Sequence, residues 1–103
     1  MQSEYKASYN ITFDKEGWMR YISHLDIMRL FTRAMRRAEF SLYFTKGFNP
    51  HPIVRIKKAL KLGLTGKSQE AELILSEDIS PEEFKQRLCE QLPAGINVRD
   101  VRL

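Results

Sequence analysis

The chain has a single cysteine, Cys89, among its 103 residues. One cysteine cannot form an internal disulfide, and it excludes a cysteine-rich zinc or iron–sulfur cluster built by this chain alone. No apolar run approaches the ~20 residues that a helix needs to cross a bilayer. The N-terminal residues are polar and lack the apolar segment of a signal peptide. We therefore expect a cytoplasmic protein with no membrane partner.

Acidic residues are scarce in the middle of the chain. Residues 20–67 carry eleven Lys and Arg but only two acids, Asp26 and Glu39, whereas residues 70–103 carry four basic residues and eight acids. A concentrated positive field attracts polyanions, which include RNA, DNA and phosphorylated ligands. The alternative is a solvated basic face that has no partner.

Several well-known motifs are also missing. The sequence contains no Walker loop, no Gly-x-Gly-x-x-Gly fingerprint, no serine in a nucleophile-elbow context and no RNP-type motif. Cys89 lies in an ordinary helical pattern beside Glu90, which does not favour a thiolate. We therefore assign no catalytic residue from a motif.

The apolar pattern that is present predicts one α+β domain over residues 1–103. Helices are predicted after Ser23 and after Ser80, because each serine is a good N-cap ahead of an amphipathic segment. Strands are predicted where apolar and polar residues alternate: residues 5–13, 40–44 resuming at 53–56, 70–76 and 96–103. Residues 18–22 either extend a short strand or lead into the first helix. The order βαββαβ is typical of the ferredoxin-like fold, a four-stranded antiparallel sheet with two helices on one face.

The first predicted helix is strongly amphipathic. At 100° per residue, one arc carries the apolar residues of a core face, and the opposite arc carries Asp26 with Arg29, Arg33, Arg36 and Arg37. Asp26 can return a capping-box bond to Ser23, or pair with Arg29 or Arg33. We expect the arginine arc to contact phosphate, extended by the basic residues Lys46, Arg55, Lys57, Lys58 and Lys61.

Two polar segments flank this helix. His24 falls in its first turn, where free N–H groups and the helix dipole favour an anion; the alternative is a local capping or packing role. Residues 46–52 (KGFNPHP) are stiffened by two prolines and display Asn49 and His51; the alternative is a structural turn with Phe48 in the core. Tyr43 or Phe48 could stack on bases.

These observations define one predicted ligand- or anion-binding site. A metal site from His24, Asp26 and His51 fits on ligand type, but no short ligand spacing supports it, so we predict no metal. The predicted site consists of His24, Asp26, Arg29, Arg33, Arg36, Gly47, Phe48, Asn49 and His51.

Three segments of this stretch together resemble a bacterial family: residues 22–31 (ISHLDIMRLF), 33–38 (RAMRRA) and 46–52 (KGFNPHP). The sequence is similar to the radical SAM-associated, or radical SAM-linked, proteins, a domain of unknown function. Members of that family are fused to, or encoded beside, a radical SAM protein. Their domain is longer, so this chain resembles its N-terminal portion. Residues 57–63 are more basic than the corresponding Pro- and Ala-rich stretch of the family.

The resemblance implies a partner enzyme that carries the iron–sulfur cluster and S-adenosylmethionine, with no cofactor in this chain. It implies no known reaction. The sequence as a whole favours a non-catalytic accessory domain that recognises RNA, either tRNA or rRNA, or another phosphorylated ligand. One alternative is a small enzyme that uses His24 and His51 as acid–base residues on a phosphorylated or modified-nucleotide substrate. Another is a protein-interaction module that docks a radical SAM partner.

Overall fold

The computed structural model describes residues 6–57 and 69–103. Its four strands form one antiparallel sheet in the order β2-β3-β1-β4. The ferredoxin-like prediction is therefore confirmed. The predictions for residues 58–67, an ambiguous segment followed by a turn, lie outside the described residues. The elements are β1 (Ala7–Lys15), a 3₁₀ helix (Gly17–Tyr21), α1 (His24–Arg37), β2 (Val54–Lys57), β3 (Gln69–Leu75), α2 (Pro81–Cys89) and β4 (Ile96–Arg102).

The hydrophobic core lies between one face of the sheet and the two helices. Every second residue of β1 points into it, as the period of a strand requires. The buried residues of both helices join the same cluster, so α1 and α2 lie on one face of the sheet, as predicted. The most completely buried members are Tyr9, Phe13, Phe31, Phe84, Ile11, Met35, Leu73, Leu75 and Leu88.

Three stacked aromatic rings join distant parts of this core. The ring centroids of Tyr9 and Phe84 are 4.4 Å apart, and those of Phe84 and Phe40 are 5.0 Å apart. The guanidinium of Arg87 covers the far side at 4.6 Å from the Phe40 ring. The Tyr9 hydroxyl donates to the carbonyl oxygen of Ile79 at 2.8 Å and accepts from its N–H at 2.7 Å. The stack therefore connects β1, the segment after α1 and the start of α2.

Both helices begin at the predicted N-caps. The Ser23 hydroxyl oxygen accepts from the N–H of Asp26 at 3.1 Å, and that of Ser80 accepts from the N–H of Glu83 at 3.2 Å. Pro81 occupies the first turn of α2, where its missing N–H removes no helical hydrogen bond. These local bonds satisfy N–H groups that a helix start otherwise leaves unpaired.

The end of α1 has the geometry of a Schellman motif. The N–H of Glu39 donates to the backbone carbonyl oxygen of Arg36 at 3.0 Å, and the N–H of Phe40 donates to that of Met35 at 3.3 Å. Glu39 has φ of 63°, in the left-handed region where glycine is the usual residue. This turn directs the chain away from α1 and places Phe40 in the core.

One predicted strand segment is absent as a strand, and for residues 18–22 the strand alternative is not the one observed. Residues 40–44 form only the isolated bridges Leu42–Leu75 and Phe44–Pro52, and the second strand of the sheet is Val54–Lys57. The expected alternation fails because Phe40 and Tyr43, three residues apart, are the two buried side chains of this segment. Residues 18–22 do not form a strand; most of them belong to the 3₁₀ helix.

Candidate anion-binding groove

A groove of about 520 Å³ lies between α1 and the segment that enters β2. Its helical wall is a stripe of residues spaced three and four apart, which share one side of an α-helix. Its other wall is the end of the 46–52 loop and the first residue of β2. We call this site the α1 groove; its lining residues are Leu25, Met28, Arg29, Thr32, Arg33, Arg36, His51, Pro52 and Val54.

Amphipathicity places the arginines of α1 in solvent. Ile27, Phe31, Ala34 and Met35 anchor the helix in the core. The arginines on the other side of the helix are therefore exposed, as predicted from their spacing. Exposure keeps their guanidinium groups available to a ligand.

The arginines of α1 differ in their ion pairs. Arg29 lies 3.6 Å from the carboxylate of Asp26, and both side chains are exposed. Within the part of the chain that the structure describes, Arg33, Arg36 and Arg37 have no carboxylate within 4.0 Å. Their positive charge is therefore not neutralised by a neighbouring side chain.

Arg33 has a central position on this surface. It lines the α1 groove and two further hollows, one of about 350 Å³ shared with Asp26 and Arg29, and one of about 470 Å³ that reaches Met19 and the end of α2. A ligand in any of the three hollows would meet the Arg33 side chain. The arginine spacing predicted exposure of Arg33 but not this position.

The 46–52 loop holds His51 in a defined orientation. The N–H of Thr45 donates to the His51 carbonyl oxygen at 2.9 Å, and the N–H of His51 donates to Thr45 Oγ1 at 3.2 Å. The ring Nδ1 of His51 lies 2.9 Å from the Asn49 carbonyl oxygen. Because a carbonyl oxygen only accepts, Nδ1 carries the proton in this bond. The neutral ring therefore keeps its lone pair on Nε2, which has no partner among residues 6–57 and 69–103.

The rest of the loop extends into solvent. Gly47 has φ of 133°, a conformation that side chains rarely adopt. Phe48 is fully exposed, so the alternative in which it fills the core is wrong. Asn49 is exposed and contributes its carbonyl oxygen to His51. Tyr43 is buried, so of the two aromatic residues considered for stacking only Phe48 is accessible.

The start of α1 is separate from the groove lining. His24 is exposed and lines none of the hollows described here, and Asp26 lines only the hollow that it shares with Arg29 and Arg33. The structure thus brings His51 beside Arg29, Arg33 and Arg36. The idea that His24 shares this site stays a prediction.

Sequence reasoning missed the apolar side of the groove. Leu25, Met28 and Val54 give it a nonpolar surface beside the guanidinium groups. The signal was present for the two helical residues, because positions 25, 28, 29, 32, 33 and 36 fall on one stripe of the helix. Nothing in the local pattern indicated that Val54 would face them.

The outer face of the sheet carries charges of both signs that pair with one another. Arg55 lies 3.0 Å from Glu72 across β2 and β3, and the Ser8 hydroxyl donates to the same carboxylate at 2.5 Å. The hydrogen bond from Ser8 and then that from Arg55 hold the pKa of Glu72 below its usual value. The other pairs on this face are Arg102–Glu70 at 3.5 Å, Arg102–Asp100 at 3.4 Å and Arg99–Asp14 at 3.8 Å.

Three further observations concern metal ligands, membrane-spanning helices and the cysteine among the described residues. Among residues 6–57 and 69–103, no three His, Cys, Asp or Glu side chains are grouped as a metal site would require. No helix in the same part of the chain is both long and apolar enough to cross a bilayer. Cys89 is exposed at the end of α2.

The fold and the groove together define the class of this protein. It is a small α+β protein of ferredoxin-like topology with an arginine-lined groove beside its first helix. The chain belongs to the family DUF2344, described as an uncharacterized protein conserved in bacteria, whose profile matches residues 8–103. No curated protein and no solved structure matches the chain.

Proposed function

We propose that this domain is a non-catalytic accessory domain that binds RNA, either tRNA or ribosomal RNA, or another phosphorylated ligand. The ligand occupies the α1 groove. Arg33 and Arg36 contact its phosphate oxygens, and His51 contacts a neighbouring polar group. Arginine suits this role because its guanidinium presents several donors to a phosphate in a fixed geometry.

One observation carries the proposal. The α1 groove is lined by Arg33 and Arg36, which lack a carboxylate partner among the described residues, and by His51. A carboxylate beside an arginine cancels part of the positive field that attracts phosphate, whereas an arginine without such a neighbour keeps its full field. An anion therefore binds in the α1 groove at a lower electrostatic cost than at arginines whose charge a neighbouring carboxylate already cancels.

The groove also suits a nucleotide better than a bare anion. Leu25, Met28 and Val54 supply apolar surface that a sugar or base can cover. The lone pair on His51 Nε2 can accept a hydrogen bond from a ribose 2′-hydroxyl, a group that DNA lacks. Phosphate contacts from arginine would set affinity, and the His51 contact would favour RNA.

We also propose that the domain works with a radical SAM enzyme. The support is the resemblance of residues 22–31, 33–38 and 46–52 to the radical SAM-linked proteins. The partner supplies the iron–sulfur cluster and S-adenosylmethionine, and this domain positions the ligand for it. The chain's single, exposed cysteine is consistent with that division of roles.

The direct test measures binding to unfractionated tRNA across a salt series. Fluorescence anisotropy of labelled tRNA reports the affinity at each salt concentration. Between about 50 and 200 mM salt, we expect the logarithm of affinity to fall linearly with the logarithm of salt concentration, because each phosphate contact releases counterions. Heparin, a polyanion without bases, should compete. Absent binding, or affinity that does not change with salt, would overturn the proposal.

A co-purification experiment separates RNA from a protein partner. If the domain retains its radical SAM partner after nuclease treatment, and an R33E/R36E variant loses it, the arginine face docks protein. If the same variant loses tRNA while the partner stays bound, the α1 groove binds RNA and another surface binds the enzyme. The second result is the expected one.

A further inference from the structure

Among residues 6–57 and 69–103, three large aromatic side chains are exposed, and they lie in the segments that precede and follow α1 in the chain. Trp18 is 91% exposed and Tyr21 is 73% exposed, both in the 3₁₀ helix that precedes α1, and Phe48 is fully exposed in the 46–52 loop. The outer face of the sheet has no exposed large aromatic among its described residues. These rings belong to segments that reach Arg33 through other residues: Met19, next to Trp18, lines the hollow of about 470 Å³ with Arg33, and His51, in the loop of Phe48, lines the α1 groove with it.

Trp18 has no packing role that would account for its presence. The 3₁₀ helix is anchored by its neighbour Met19, which packs against the core and against Gly95. A Cβ on Gly95 would lie 2.8 Å from Met19 Cγ and 2.9 Å from the Glu16 carbonyl oxygen, so only glycine allows this close approach. Met19 therefore anchors the segment, and the Trp18 ring stays exposed to solvent.

The position of Trp18 is nevertheless well defined. The N–H of Glu16 donates to the Gly95 carbonyl oxygen at 2.7 Å, and the N–H of Met19 donates to the Glu16 carbonyl oxygen at 3.1 Å. Residues three apart in a 3₁₀ helix lie on the same side of it, so Trp18 and Tyr21 project together. Because hydrogen bonds fix the backbone of the 3₁₀ helix, the two rings project from fixed positions, and less conformational entropy is lost when a ligand binds.

One cation lies against this pair of rings, and two more line the hollow beside it. The guanidinium of Arg20 lies 5.6 Å from the centre of the Tyr21 ring. Met19 lines the hollow of about 470 Å³ that also contains Arg33 and Arg37. On the other side of α1, Arg33 lines the α1 groove together with His51, whose loop carries Phe48. Trp18 itself lines a neighbouring hollow with Glu16, Met19 and Gly95, so Met19 connects the Trp18 side of α1 to Arg33, and Arg33 connects it to the His51 side.

Exposed aromatic rings interleaved with cations are what single-stranded nucleic acid requires. Its unpaired bases stack on aromatic faces while arginines contact the phosphates, whereas the bases of a duplex are already stacked on one another. We propose that Trp18 and Phe48 are base-stacking positions at the two sides of the arginine face, and that the ligand of this domain is a single-stranded segment of RNA. This inference rests on the proposed function, since it names the class of RNA that the arginine face binds.

The sequence supplies its own probe, because Trp18 is the only tryptophan. The full chain is titrated with a short oligoadenylate, with an RNA duplex of equal length and with heparin, and tryptophan fluorescence and affinity are both measured. We expect oligoadenylate to quench Trp18 and the duplex to bind more weakly with little quenching. Heparin should bind without quenching, since it has no bases.

Two variants test the role of the rings. W18L and F48A should each lower oligoadenylate affinity about fivefold or more and leave heparin affinity unchanged. L103A, at another exposed apolar residue, is the matched control and should change neither. Circular dichroism checks that each variant is folded, which we expect because the replaced side chains are exposed.

The outcomes separate the two proposals. One result would overturn the stacking inference while the anion-binding function stands. In that result heparin binds, oligoadenylate does not quench Trp18, and W18L binds oligoadenylate as tightly as the wild type does. Equal affinity for duplex and single strand would also overturn it. If no polyanion binds at all, the proposed function itself fails.

Discussion

The arginines on the outer face of the sheet lie in ion pairs, whereas among the described residues three of the four on the exposed face of α1 do not. On the sheet, Arg55, Arg99 and Arg102 each lie within 4.0 Å of a carboxylate. On α1, Arg33 and Arg36 have no such partner among the described residues. Exposed ion pairs add little stability, but they cancel the field that would attract an anion. If the proposed function is correct, the pairing of the arginines, more than their number, distinguishes the face that binds an anion from the face that does not.

Removing charge from each face in turn should give the largest difference. We expect R33Q/R36Q to weaken binding to tRNA by about tenfold per arginine and to lower the slope of its salt dependence by about 1.4 if the bound segment is single-stranded. R99Q/R102Q, which removes the same charge from the sheet face, should change affinity less than about twofold. Anisotropy titrations at several salt concentrations measure both quantities. Equal losses from the two variants would remove the distinction between the faces.

The converse experiment tests stability. E72Q removes the carboxylate that accepts from Ser8 and Arg55, and should lower the free energy of unfolding by about 1 kcal/mol without changing tRNA affinity. D100N removes a solvent-exposed pair on the same face and should cost less than about 0.5 kcal/mol. Urea denaturation measures both. A loss of tRNA binding in E72Q would mean that the sheet face takes part in binding.

Acid should weaken the sheet face through the same residue. The pKa of Glu72 is held below its usual value of 4.5, so its contribution to stability is complete above pH 4.5 and is lost as pH falls through the lowered pKa. E72Q lacks this contribution at every pH. The free energies of unfolding of wild type and E72Q should therefore converge as pH falls below 4.5. Urea denaturation at a series of acidic pH values checks this, and a constant difference would contradict it.

The smallest expected effect is at the end of α1. Glu39 has a left-handed conformation that costs a non-glycine residue about 1 kcal/mol, so E39G should stabilise the protein by up to that amount. It also removes one of only two acids in residues 20–67, so tRNA affinity should rise slightly. Thermal denaturation and anisotropy measure the two changes. A destabilised E39G would show that the Glu39 side chain has a partner role that outweighs its backbone strain.

Sequence predicted the parts of this fold that local chemistry determines. The N-caps at Ser23 and Ser80, the apolar stripe of α1 and the alternation of β1 each follow from residues adjacent in the chain. The path of residues 40–44 does not, because Phe40 is fixed by stacking on Phe84 far along the chain. The predicted alternation of buried and exposed residues is wrong for residues 40–44, because tertiary packing overrode the local pattern.

The candidate site shows the same limit. The arginine stripe and the Asp26–Arg29 pair were predictable from helical spacing. The pairing of Arg55 was not, since Glu72 reaches it only after β2 and β3 align. The position of His51 beside α1 likewise depends on where β2 lies in the sheet. Trp18 was interpreted only as the first residue of a short strand or of the lead into α1, and nothing in residues 18–22 indicated that its ring would be exposed.

The central claim is that Arg33 and Arg36 bind phosphate while the arginines of the sheet stay in their ion pairs. Nuclear magnetic resonance of the arginine side-chain Nε–Hε groups, recorded during titration with oligoadenylate, tests it most directly. We predict that the Nε–Hε signals of Arg33 and Arg36 shift. The corresponding signals of Arg55, Arg99 and Arg102 should not change. Shifts confined to the three sheet arginines, or equal shifts on both faces, would contradict it.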